Sequence, residues 1–114
     1  MAEINSSRVN IMVANMEKSV DFYTKKLGLK LLNQYGPHYA EIQAPDLLIG
    51  LHPKSDKIEV GNNMSIGFGT KEFDKQVEEL KSMGIKVETE VDGWIRLAYF
   101  TDLDNNSLFF AENK

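Results

Sequence analysis

Few side chains of this 114-residue sequence could do chemistry by their type and spacing. The chain contains no cysteine, which excludes disulfides, thiolate catalysis and cysteine-ligated zinc. Its two histidines, His38 and His52, lie on the two arms of a predicted hairpin that turns at Ala44-Pro45-Asp46. A three-residue loop would place them opposite each other, where with Glu41 they could form a metal or acid–base site. A two-residue loop would put them on opposite faces, so the sequence leaves both interpretations open.

A cation and several aromatic residues offer a second kind of chemistry, which is ligand binding. Arg8 could pair with a carboxylate or phosphate of a ligand, or it could simply begin a strand and reach solvent. Four aromatic residues could stack on a planar molecule, although core packing or dimer contacts would also explain them: Tyr35, Tyr39, Trp94 and Tyr99. We favour Trp94 among them, because it follows Asp92-Gly93 near a predicted strand start. Motifs for acyl transfer, phosphate cradling and dinucleotide binding are absent from the sequence.

Charge and hydropathy exclude some partners. The formal net charge is −4, from 13 basic and 17 acidic side chains, which argues against nucleic acid as a partner. The longest apolar runs, such as residues 47–51, are too short to cross a bilayer. The first eight residues lack the basic and apolar blocks of a signal peptide. We therefore expect a cytoplasmic protein with no membrane and no nucleic-acid partner.

The chain repeats one pattern of elements. Residues 9–13 alternate as a strand, and a helix follows with Met16, Val20, Tyr23 and Leu27 on one face, Asn15 as its N-cap and Gly28 as its stop. A strand over residues 29–32 comes next. The same order recurs later, with a strand over residues 64–68, a helix that ends at Gly84 and a strand over residues 85–89. Residues 27–31 match residues 83–87 at an offset of 56.

Each repeat closes with a hairpin. The first pairs residues 39–43 with residues 47–52, and the second pairs residues 94–100 with residues 107–111 across an Asp- and Asn-rich turn. We predict one domain over residues 1–114, with repeat one at about 8–53, a polar linker at about 54–63 and repeat two at about 64–114. Neither βαβββ repeat can cover its own apolar sheet face, so the two should pair.

Two segments resemble a known family. Residues 15–29 (NMEKSVDFYTKKLGL) are similar to the first-helix signature of the glyoxalase/bleomycin-resistance/dioxygenase (vicinal oxygen chelate, VOC) superfamily, and residues 100–109 (FTDLDNNSLF) to its final hairpin. The resemblance implies an α+β fold in which two βαβββ repeats form a cupped eight-stranded mixed sheet, with the helices on the outside. It also implies a homodimer and a cup that holds a small molecule or a divalent metal.

The superfamily's metal ligands do not carry over to this sequence. The resemblance places the four ligand positions at Arg8, Gly50, Ser65 and Phe109. Arginine stays protonated, glycine and phenylalanine have no donor atom, and serine alone is a poor ligand. We therefore predict no metal and no cofactor.

Strand alternation then suggests the lining of a metal-free cup. Residues at alternate positions of four strands share one face of the sheet, and the small residues among them should leave space for a ligand. The predicted ligand-binding residues are Arg8, Asn10, Met12, Gly50, His52, Ser65, Gly67, Trp94 and Phe109. The predicted function is sequestration of a planar or anionic organic ligand. The alternative is a lyase, isomerase or dioxygenase of the superfamily with a relocated metal or none.

Overall fold

Strand pairing arranges the residues that this computed structural model describes (residue 3, residues 8–54 and residues 64–113) in two four-stranded sheets. The sheets belong to two compact units, Met1–Val60 and Gly61–Lys114. The predicted linker lies outside the described residues except for Lys54.

The first unit is a βαβββ module. Its elements are β1 (Val9–Val13), α1 (Met16–Asp21) with a π-helical turn (Phe22–Lys26), β2 (Lys30–Gln34), β3 (Ala40–Ala44) and β4 (Leu47–Pro53). The strand order is β1-β4-β3-β2, with β1 parallel to β4 and the other neighbours antiparallel.

The second unit repeats this topology. Its elements are β5 (Ser65–Thr70), α2 (Phe73–Ser82), β6 (Glu88–Asp92), β7 (Ile95–Thr101) and β8 (Ser107–Glu112). The order is β5-β8-β7-β6, again with one parallel pair, β5 and β8. The predicted α+β class and the two βαβββ modules are thereby confirmed.

Helix boundaries follow the predicted caps. The side chain of Asn15 accepts a hydrogen bond of 2.9 Å from the Lys18 N–H, and Gly28 and Gly84 both take the left-handed backbone (φ +73° and +80°) that ends a helix. The N–H of Ile85 still donates to the Leu80 carbonyl at 3.0 Å, as the end of a helix cap does. This explains why β6 begins at Glu88, three residues later than predicted.

The core of each unit lies between the helix and one face of its sheet. Ile42, Ile49 and Leu51 are fully buried on this face in the first unit, where α1 packs on β3 and β4. Leu108 and Phe110 are buried in the second, where α2 packs on β8. We call the opposite side the distal face of each sheet. No helix of the described residues is long and apolar enough to span a bilayer.

Candidate functional site

The strand register gathers the predicted residues of the first unit on the distal face of its sheet. Asn10 lies beside Gly50 and Met12 beside His52 in the parallel pair β1–β4, and Glu41 lies on the other side of Gly50. Arg8 directly precedes β1 and is exposed. The predicted alternation of these residues is therefore confirmed within the first sheet.

Tyr39 fills the space above Gly50. Its phenol oxygen lies 3.3 Å from Asn10 Oδ1, to which it donates a hydrogen bond, and a Cβ at residue 50 would collide with both of these groups. The prediction that this glycine opens volume is therefore wrong, because its missing side chain makes room for the tyrosine ring.

Arg8 adds a positive charge beside this tyrosine. Its guanidinium carbon lies 5.7 Å from the centre of the Tyr39 ring, within cation–π range, and the Tyr35 ring stacks on Tyr39 at 6.5 Å. Within residues 8–54 and 64–113, no carboxylate forms an ion pair with Arg8. The guanidinium donors thus face solvent at the edge of the distal face.

The second unit places an aromatic surface on the distal face of its sheet. The Phe109 ring covers Gly67, the neighbouring residue on β5, and lies 5.8 Å from the Tyr99 ring on β7. Ser65 shares this face and is exposed. Here, too, the glycines leave no hollow, because the Phe109 ring covers Gly67 and the Asn113 side chain covers Gly69.

Trp94 does not join this aromatic surface. It lies in the two-residue turn between β6 and β7, after Gly93 (φ +64°), and is 84% exposed. Tyr99 lies five positions further along the same hairpin arm, which is about 17 Å at the rise of an extended strand. Its predicted role in ligand binding stays a prediction.

The two histidines are not brought together. Ala44 pairs directly with Leu47, so the β3–β4 turn has only two residues, Pro45 and Asp46. Continuing this register places Tyr39, and not His38, across from His52. The three-residue-loop interpretation is therefore wrong. No group of three or more His, Asp or Glu side chains that could hold a metal occurs among the described residues.

The strongest ion-pair network lies on the opposite, helix-facing side of the second sheet. Arg96 donates to Glu112 Oε2 at 2.8 Å and to Asp74 Oδ1 at 2.8 Å, and its guanidinium carbon lies 4.5 Å from the centre of the Phe73 ring. Hydrogen bonds from Arg96 hold the pKa of the Asp74 carboxyl below its usual range. Hydrogen bonds to Glu112 and Asp74 raise the pKa of Arg96. This network joins α2 to the sheet and takes no part in the distal face.

Comparison with known families identifies the fold. The profile of the Glyoxalase/Bleomycin resistance protein/Dioxygenase superfamily matches residues 6–110. The chain belongs to this superfamily. No curated protein matches it in sequence.

Solved structures of the superfamily fold cover nearly the whole chain. TnmS3, an antibiotic binding protein from Streptomyces sp. CB03234, is 24% identical with a TM-score of 0.82, and the match covers 100% of this chain and 99% of that one. The fosfomycin resistance protein FosX from Listeria monocytogenes is 18% identical with a TM-score of 0.77, covering 99% and 94%. Protein SA1046 from S. aureus is 28% identical with a TM-score of 0.78, covering 98% and 100%.

The residues at the four positions that the resemblance assigns to metal ligands do not fit a divalent metal. Arg8 presents a guanidinium, which has no lone pair to donate. The space that a side chain at Gly50 would need is taken by Asn10 and Tyr39, and the Phe109 ring packs on Gly67. Ser65 alone offers an oxygen, and one hydroxyl does not make a site.

Sequence reasoning considered Tyr39 and Tyr99 but did not include them in the predicted lining. The signal for Tyr39 lay in the length of the β3–β4 turn. Pro45 followed by Asp46, which has φ +58°, fits a two-residue type II turn. That turn length puts Tyr39 on the distal face. The signal for Tyr99 was its parity with Phe109 across the second hairpin, which the structure pairs directly.

Proposed function

We propose that the chain is a metal-free small-molecule-binding protein that sequesters a planar or anionic organic ligand. The observation that carries the proposal is the aromatic surface of the second sheet. Tyr99 is 38% exposed although it is large and apolar, and its ring adjoins that of Phe109. A planar ligand stacked on such a pair gains about 0.5–1.5 kcal/mol per ring contact beyond the apolar area it buries.

Arg8 supports the anionic part of the proposal. A guanidinium without a carboxylate partner can bind a ligand carboxylate or phosphate by two parallel hydrogen bonds. The contact with the Tyr39 ring keeps Arg8 over the distal face, and the ring itself is held by its hydrogen bond to Asn10. The two side chains thus limit the directions that the cation can take.

One structural relative agrees with a binding function. TnmS3 is described as an antibiotic binding protein, so this fold binds a small organic molecule in another chain. The alternative predicted from sequence is a lyase, isomerase or dioxygenase with a relocated metal site or none. For a relocated site, no group of three or more His, Asp or Glu side chains that could hold a metal occurs among the described residues. We therefore propose binding, in a cytoplasmic homodimer, as the function.

The test is thermal unfolding of the full chain with planar aromatic carboxylates and with divalent metals. A ligand that binds the folded state raises the midpoint by mass action. We expect aromatic carboxylates to raise it and Tyr99→Leu and Phe109→Leu each to weaken binding at the aromatic surface about tenfold, or about 1.4 kcal/mol. Binding of an anion at Arg8 should weaken by a similar factor on Arg8→Ala. Lys81→Ala, which removes an exposed cation on α2, is the matched control for Arg8 and should change nothing.

The effect of divalent metals on the unfolding midpoint distinguishes the proposal from its alternative. Stabilisation by Ni²⁺, Mn²⁺, Fe²⁺ or Zn²⁺ that is lost on His38→Ala or His52→Ala would overturn it and favour an enzyme with a relocated metal site. Indifference to metals together with stabilisation by an aromatic carboxylate supports it.

A further inference from the structure

A small cavity lies beside the aromatic surface of the second unit. It measures about 260 Å³ and is lined by Lys86, Glu88, Tyr99, Phe100, Thr101, Ser107 and Leu108. We propose that this cavity binds a neutral, hydroxyl-rich group of the ligand, of the kind that a sugar ring presents. The inference rests on the proposed function, because it assigns a chemical class to one part of the bound molecule.

The strand register explains how the cavity forms. Thr101, the last residue of β7, pairs with Ser107, the first residue of β8, and Ser107 in turn lies beside Ser65 on β5. Glu88 pairs with Tyr99 in the next row. Hydroxyl-bearing residues of β7 and β8 are therefore neighbours at one end of the distal face, where β6 is only beginning and leaves room. A volume of 260 Å³ equals that of about nine waters of liquid, which suits a single ring rather than an extended chain.

Three hydroxyl groups of this cavity have no side-chain partner in the part of the chain that the structure describes. Across residues 64–113, no side-chain hydrogen bond engages the hydroxyl groups of Tyr99, Thr101 or Ser107. Each hydroxyl can both donate and accept, Lys86 adds three donors, and Glu88 adds acceptors. A polyol matches this mixed set, because each of its hydroxyl groups also donates and accepts.

The charges of the cavity favour a neutral occupant. Lys86 Nζ lies 3.9 Å from Glu88 Oε1, so the exposed rim of the cavity carries charges of both signs. A carboxylate or phosphate in the cavity would meet Glu88, and a cation would meet Lys86. This distinguishes the cavity from the surroundings of Arg8, where no carboxylate balances the charge.

Tyr99 connects the cavity to the aromatic surface. Its ring lies 5.8 Å from the Phe109 ring and also lines the cavity. A ligand whose planar ring stacks on Phe109 could therefore place a hydroxyl-rich substituent beside Thr101 and Ser107. The ligand class that fits both features is an aryl glycoside.

The experiment titrates the ¹⁵N-labelled full chain with 4-nitroanisole and with the 4-nitrophenyl glycosides of glucose, galactose and mannose, followed by amide chemical shifts. We expect at least one glycoside to bind about tenfold more tightly than 4-nitroanisole and to shift the amides of Glu88, Thr101 and Ser107. Thr101→Val and Ser107→Ala should each remove most of this gain while leaving 4-nitroanisole binding unchanged. Thr89→Val, an exposed change on the other face of β6, is the matched control and should keep the gain.

The outcomes separate the inference from the proposed function. Binding of 4-nitroanisole with no gain from any of the three sugars would overturn the inference and leave the aromatic site standing. A larger gain from 4-nitrophenyl phosphate than from the glycosides, or a glycoside gain that survives Thr101→Val and Ser107→Ala, would also overturn it. If neither 4-nitroanisole nor any glycoside binds, the inference and the stacking site both fail.

Discussion

At the scale of single residues, two glycines of the distal faces are covered by the aromatic rings of neighbours. Tyr39 lies over Gly50 in the first unit and Phe109 over Gly67 in the second. Neither glycine has a positive φ, so the backbone does not require glycine at these positions. The close approach of a ring does require it, and the orientation of the ring is what the candidate site depends on.

We expect Gly67→Ala to destabilise the chain by about 1–3 kcal/mol, the usual cost of inserting a methyl group into a packed region. The new Cβ would occupy the space of the Phe109 ring, which would have to rotate away from β5. Equilibrium unfolding in urea measures this cost. In a Phe109→Leu background the cost should fall, because the shorter side chain leaves room. An equal cost in both backgrounds would contradict this account of the glycine.

At the scale of elements, Arg96 joins α2 to the sheet of the second unit. Its guanidinium binds Glu112 on β8 and Asp74 on α2, and it stacks on Phe73 at the start of the same helix. Side-chain bonds of this kind contribute modestly where the partners are exposed, as Asp74 is. Their effect should be visible in the pH dependence of stability rather than in its absolute value.

The Asp74 pair predicts a loss of stability in acid. Because hydrogen bonds from Arg96 lower the pKa of Asp74 in the folded state, the unfolded chain binds the proton more readily. The contribution of the pair is therefore complete above the unfolded pKa, about 3.9, and is lost as the pH falls through the lower folded pKa. Urea unfolding should show a difference between wild type and Asp74→Asn at pH 7 that shrinks below about pH 4.

Glu78→Gln is the control for this prediction. Glu78 is exposed on the same helix and forms no ion pair among the described residues. The difference in free energy of unfolding between wild type and Glu78→Gln should not shrink in the same way as the pH falls. A gap between wild type and Asp74→Asn that stays constant from pH 7 to pH 3 would show that Arg96 does not act on the carboxyl.

At the scale of the whole molecule, one topology appears twice with different chemistry on its distal face. Asn10, Gly50 and Glu41 form a cross-strand row in the first sheet, and Gly67, Phe109 and Tyr99 form the corresponding row in the second. The first row is polar and lies near Arg8, whereas the second is aromatic. The two repeats thus keep the same fold while each presents different chemistry on its own distal face.

The predicted homodimer can be tested on the same scale. The edge strand β2 has all of its residues exposed, including Leu31 and Leu32, whereas the other exposed edge strand, β6, carries Glu88, Glu90 and Asp92. Charged side chains guard an edge against pairing, so β2 is the edge that a second copy would cover. Sedimentation at equilibrium should give twice the 12.9 kDa chain mass.

We expect Leu32→Lys to shift this equilibrium towards the monomer by at least tenfold in dissociation constant. Leu103→Lys is the control, since Leu103 is exposed in the β7–β8 turn and not on a sheet edge. A wild-type chain that sediments as a monomer at high micromolar concentration would contradict the dimer. A dimer insensitive to Leu32→Lys would contradict the assignment to β2.

Local sequence determined most of the elements of this protein. The period of the apolar residues, the cap at Asn15 and the stops at Gly28 and Gly84 depend on neighbours a few residues away, so the order of strands and helices and their repetition could be read directly. The repeated spacing in the two halves of the chain also indicated the βαβββ module, and the resemblance of residues 15–29 and 100–109 to a known family indicated the superfamily. The strand ends were predicted less accurately, because N–H groups such as that of Ile85 still form hydrogen bonds of the helix cap.

Only the tertiary structure decided how side chains share the distal faces. The two-residue turn at Pro45 and Asp46 separated His38 from His52 and brought Tyr39 over Gly50. The β7–β8 register placed Tyr99 beside Phe109 and Thr101 beside Ser107. A shift of one residue in either register would have turned every one of these side chains to the opposite face. Register depends on turn geometry and on the packing of a whole sheet, and composition and periodicity within a single strand do not contain it.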